Sequence, residues 1–71
     1  MNDRRNLSAD LMRIGEWLYE GENELADQFL NRNQAIAQRL KLSEWWQKIQ
    51  KREGGQKRAA ERALTLAVIL A

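Results

Sequence analysis

Glu16 and Glu20 stand four residues apart, a spacing that sets two carboxylates on one helix face, where such a pair could divide the roles of general acid and general base. The chain holds no histidine and no cysteine, so a nucleophile drawn from Ser8, Ser43, Thr65 or Tyr19 would lack its customary base. No histidine accompanies the two carboxylates, which removes the ligand set of a di-metal helical bundle. Gly54, Gly55 and Gln56 precede Lys57 without the spacing of a phosphate-cradling loop. Glu16 and Glu20 are therefore read as a solvated acidic face, and the chain as a non-enzymatic protein for which no catalytic residue, metal or cofactor is expected.

Binding chemistry is better represented. Trp45 and Trp46 are adjacent, so on a helix they project about 100° apart and cannot both fill the centre of one core. One of them belongs at a boundary or an interface, where an aromatic ring with a polar N–H is at home. At the other end of the chain, Ala63 to Ala71 are uncharged, and Leu64, Leu66, Val68, Ile69 and Leu70 point to every side of a helix. Such a helix should be enclosed all round, by a second copy, by a protein partner, or by sequence continuing past Ala71. Its last turn carries neither a cation nor a capping residue. These five residues with Trp45 and Trp46 form the predicted protein interface. The uncharged run is nine residues long, against roughly 20 for a membrane-spanning helix. Met1 to Leu7 lead into an amphipathic segment and not an apolar signal core, so no membrane partner and a cytoplasmic location are expected.

The charges suggest an alternative partner. Net charge is +2, but residues 10–27 carry six acids against Arg13, whereas residues 28–71 carry nine cations against Glu44, Glu53 and Glu61. The two halves neutralise each other, within a chain or between copies, or the basic half faces a polyanion. Lys48, Lys51, Arg52, Lys57, Arg58 and Arg62 fall within fifteen positions and, with Trp45 and Trp46 just before them, could contact phosphates and stack on a base. Within Gln34 to Ile49, the positions of Gln34, Ile36, Ala37, Leu40, Leu42 and Ser43 resemble the helix-turn-helix of bacterial regulators. That resemblance implies a recognition helix opened by Ser43, with Glu44, Gln47 and Lys48 near base edges. The chain departs from the pattern at Lys41, which takes the place of the turn glycine, and at Gln47 and Gln50, which replace apolar positions.

The elements that must carry these residues are all helical. The chain has no proline and no sustained alternation of the kind strands show. Leu7, Leu11, Ile14 and Leu18 form one apolar stripe, widened by Met12 and by Trp17 or Tyr19, and predict a helix over about 8–20 capped by Ser8. Gly21 marks a turn, although the heptad phase from Leu18 to Leu25 also permits one continuous helix. Leu25, Phe29, Ile36 and Leu40 predict a second helix over about 23–41, with Asn23 as its cap and Ala26, Leu30 and Ala37 beside the stripe. Ser43 opens a third over about 43–53, and the Gly54–Gly55 pair separates it from a fourth over about 56–71. With 71 residues and no disulfide, the expected fold is a single all-α domain, a small bundle of three to four short helices. Homo-oligomerisation, a dimer made through the last helix and one of the longer ones, would complete it.

Overall fold

Leu7, Leu11, Ile14 and Leu18 are all fully buried and form the inner face of the first helix, α1 (Asp3–Glu20), in a computed structural model that describes residues 3–71. Four more helices follow, α2 (Asn23–Arg32), α3 (Gln34–Arg39), α4 (Ser43–Gln50) and α5 (Gln56–Leu70), so the bundle has five helices where three or four were expected. No strand occurs among the described residues.

The extra element arises at Asn33, which divides the expected 23–41 helix. Its buried Nδ2 donates to the Phe29 carbonyl at 2.9 Å and to Asp10 Oδ2 at 3.0 Å. A short polar side chain that bonds to its own backbone competes with helix continuation, and here it also ties α2 to α1. The buried stripe of this region runs Ala26, Leu30, Asn33 and Ala37, one position away from the larger residues expected to form it. Alanines let the helices approach closely. Phe29 instead packs edge-on against Trp17, 4.8 Å between ring centres, while Leu25 is exposed.

Three helices end with the same device. Gly21 has φ 78°, Lys41 φ 62° and Arg52 φ 52°, and each left-handed residue reverses the chain so that two N–H groups meet late carbonyls of the preceding helix. At the first, the Gly21 and Glu22 N–H groups donate to Leu18 and Trp17 carbonyls at 3.3 and 2.8 Å, so the chain turns there and does not continue as one helix. At the second, Leu42 N–H reaches the Ala37 carbonyl at 2.8 Å. At the third, Glu53 N–H reaches the Lys48 carbonyl at 3.0 Å, ending α4 at Gln50 and not near 53.

The expected N-caps are not used. Ser8 lies inside α1, Asn23 and Ser43 are already the first helical residues of α2 and α4, and neither helix has a side-chain cap. Ser8 and Asn23 make long-range bonds instead.

The tightest packing joins α1 to α5, which run antiparallel along most of their lengths. Gln56 Nε2 donates to the Leu18 carbonyl at 3.0 Å at one end, and Ser8 Oγ donates to the Ala67 carbonyl at 2.6 Å near the other. Between them, Gly15 faces Leu64 and Ala60. A Cβ on Gly15 would lie 2.5 Å from Leu64 Cδ2, so the crossing needs the missing side chain. Ala59, Ala60, Ala63 and Ala67 line the opposing side of α5, all buried. Trp46 and Ile49 of α4 close the core.

Candidate protein-binding surface

The last helix does not bury all of its circumference. Leu66 and Leu70 join the chain's own core with Ala59, Ala60, Ala63 and Ala67, whereas Val68 is 71% and Ile69 55% exposed. Docking on α1 accounts for one side of the helix, and the outer side remains in solvent. The terminal carbonyls are also served from α1. Ser8 holds the Ala67 carbonyl, and Arg4 Nη2 reaches the Ile69 carbonyl at 3.5 Å, which places a cation at the negative end of the helix dipole. Caps missing from the local sequence are supplied across 59 and 65 residues of chain.

Of the predicted interface residues, Trp46 is 2% exposed and its Nε1 donates to the Leu30 carbonyl at 2.9 Å, capping the end of α2 from inside the core. Leu66, Leu70 and Trp46 are thus committed to this chain's own packing. Leu64 is half-buried over Gly15. Trp45 is half-buried at the edge of the core.

What remains exposed forms a pattern. Met12, Glu16 and Tyr19 repeat along α1 at spacings of 4 and 3, and Lys57, Glu61, Leu64 and Val68 repeat along α5 at 4, 3 and 4, so each set occupies one helix face. Met12 and Tyr19 flank Gly15 by three and four positions, and Leu64 lies against Gly15, so the two sets border the same outer groove. Met12 is 44% and Tyr19 51% exposed. The outer side of the α1–α5 pair therefore carries an apolar stripe of Tyr19, Met12, Leu64 and Val68, with exposed Glu16, Lys57 and Glu61 around it. The apolar stripe expected on α1 was widened by Met12 and by Trp17 or Tyr19, and this outer face was not foreseen. The 57–61–64–68 repeat was its available signal.

The six cations of the basic stretch differ in their surroundings. Arg52 is built into the fold: its guanidinium meets Asp27 Oδ1 at 2.8 Å and Asn23 Oδ1 at 3.1 Å, and its Nη1 donates to the Ile49 and Gln50 carbonyls, both at 3.0 Å. Gln56 Nε2 joins the same knot through Asn23 Oδ1 at 2.7 Å. Among the described residues, the Arg52–Asp27 ion pair links the acidic segment 10–27 to the basic segment 28–71. Lys51, Lys57 and Arg58 are exposed. Lys48 and Arg62 are half-buried and converge with Glu44 and Trp45 on a cleft of about 190 Å³ between α4 and α5. Arg62 Nη1 also donates to the Glu53 carbonyl.

The segment that resembles a helix-turn-helix is made of α3, the Lys41 turn and α4. Lys41 adopts the left-handed conformation at the place of the expected glycine. Trp46 and Ile49 fill the inner side of α4, which turns Ser43, Glu44 and Gln47 outward and leaves Gln50 half-buried. Among the described residues no group of acidic side chains is placed to hold a metal ion, and no helix is long and apolar enough to cross a membrane. No known protein family, curated protein or solved structure matches the chain.

Proposed function

We propose that this chain is a non-enzymatic helical interaction module that self-associates through the outer face of the α1–α5 pair. The observation that carries the reading is the exposure of Val68, Tyr19 and Met12 on one face around half-buried Leu64. Solvent contact at three large apolar side chains is costly to a domain this small, and covering them offers a gain of about 1.5–3 kcal/mol for each fully buried side chain. The molecule measures 31 × 20 × 19 Å, so its long face projects about 600 Å², the order needed for roughly 800 Å² of accessible surface per partner. Glu16, Lys57 and Glu61 put both signs of charge on the rim, as a face that meets its own copy requires.

This reading relocates the predicted interface. The dimer still uses the last helix and a long one, but through Val68 and Leu64 with Met12 and Tyr19, while Leu66, Leu70 and Trp46 stay inside each subunit. Sedimentation equilibrium tests it. The chain should show twice its 8.3 kDa mass at tens of micromolar, and Met12→Glu with Val68→Glu should return 8.3 kDa without loss of helical circular dichroism, because both side chains lie outside the core. A wild-type mass of 8.3 kDa up to about 1 mM would end the proposal.

A further inference from the structure

The α4–α5 cleft lies on a different side of α5 from the proposed contact face and has its own chemistry. Its wall is the half-buried indole of Trp45, and Lys48 from α4 and Arg62 from α5 bring two cations to the same opening. The aromatic ring and one cation are held in place: Trp45 packs against the core edge, and Arg62 is anchored by its bond to the Glu53 carbonyl. Glu44 supplies one acceptor at the rim. A space of about 190 Å³ is too small for a drug-sized ligand but of the size of one flat ring system. Cationic ground continues beyond the cleft. Arg58 is exposed one turn before Arg62 on α5, and Lys51 is exposed one turn after Lys48.

From this placement we infer that the cleft is a binding site for single-stranded nucleic acid, one base stacked on Trp45 and the flanking phosphates on Lys48, Arg58 and Arg62. Stacking on an indole is available to any base, and the phosphates need only the positive rim. Glu44 can accept from an exocyclic amine, which favours cytosine or adenine over thymine and disfavours a purely anionic ligand. An acidic peptide would meet the same cations but would gain nothing from Trp45 and would be repelled by Glu44.

The test is fluorescence anisotropy of a labelled ten-nucleotide deoxycytidine strand with the intact chain, alongside labelled decaglutamate and unlabelled CMP. Three phosphate contacts predict a salt slope near −2, so affinity should fall about 20-fold between 50 and 200 mM salt. Trp45→Ala should weaken binding about tenfold, with Trp45→Phe restoring most of it, and Lys48→Gln with Arg58→Gln should flatten the salt slope. Circular dichroism of each variant separates lost binding from lost fold. Absence of binding at low salt, binding indifferent to Trp45→Ala in a folded chain, or decaglutamate bound as tightly as the strand would each overturn the inference. CMP bound as tightly as the strand would assign the site to a free nucleotide and overturn the strand reading.

Discussion

Replacing Ser8 by alanine tests how the C-terminal helix is held. The hydroxyl is buried, and it donates to the Ala67 carbonyl at 2.6 Å. That carbonyl belongs to the last turn of α5. The N–H four residues on, that of Ala71, goes instead to the Val68 carbonyl at 3.3 Å. Without Ser8 Oγ, a buried acceptor loses its cross-helix donor, which costs about 1–3 kcal/mol. Alanine is the better helix former at an interior position and returns about 0.5 kcal/mol. The net loss is therefore about 0.5–2.5 kcal/mol. At about 2.1 cal/mol/K per residue, the 71-residue chain has an unfolding entropy near 150 cal/mol/K, so the melting temperature should fall by about 7 °C for each kcal/mol lost, roughly 3–17 °C.

Thermal and urea unfolding followed by circular dichroism would measure this change, with the midpoint shifted and the urea slope unchanged. The comparison is best made in the Met12→Glu, Val68→Glu background, so that self-association does not add to the apparent stability. Thr65→Ala, at an exposed position of the same helix, should change stability by no more than about 0.5 kcal/mol. Amide exchange in the last turn of α5 should accelerate in Ser8→Ala. If stability is unchanged or rises, the end of α5 is not held by α1, and an apolar terminus enclosed by a partner becomes the better account.

Two further substitutions probe the backbone. Gly15→Val places branched carbon where a Cβ alone would sit 2.5 Å from Leu64 and 3.3 Å from the Ala60 carbonyl; it should destabilise by about 1–3 kcal/mol, read from the urea midpoint, and wild-type stability would show that α1 and α5 can separate freely. Lys41→Gly removes the side chain from a residue at φ 62° and should stabilise by about 0.5–1 kcal/mol, whereas a loss would mean that the lysine side chain contributes more than its strained backbone costs.

Legibility in the sequence followed the strength of local signals. The α1 stripe of Leu7, Leu11, Ile14 and Leu18 was readable because four large aliphatic residues at helical spacing leave one solution. The turns at Gly21 and Gly54–Gly55 were readable because glycine takes left-handed backbone at little cost. Lys41 and Arg52 take the same conformation without that label, so the end of α4 was misplaced. Asn33 carried no apolar signature, yet its two side-chain bonds split a helix. The choice of Ala26, Leu30 and Ala37 over Leu25 and Ile36 depended on how closely α2 and α3 approach α1, which periodicity cannot specify to one residue. At the site, the expectation that customary catalytic chemistry is absent came from composition. The meeting of Trp45 with Lys48 and Arg62 did not, because it joins residues from two helices across the glycine turn.

Helical class and the inner face of α1 were thus determined by the sequence alone, through residue types acting within a few turns. The fate of the apolar end was decided by tertiary structure. From residue types, Leu64 to Leu70 form a helix with no polar side and no cap, a segment that calls for enclosure. In the fold, Leu66 and Leu70 enter the core, Ser8 and Arg4 serve the final carbonyls from the other end of the chain, and Val68 stays outside. Hydrophobicity records how strongly a side chain avoids water and not which neighbour will cover it. That neighbour is chosen by the antiparallel docking of α1 on α5, which Gly15 and the alanines opposite permit.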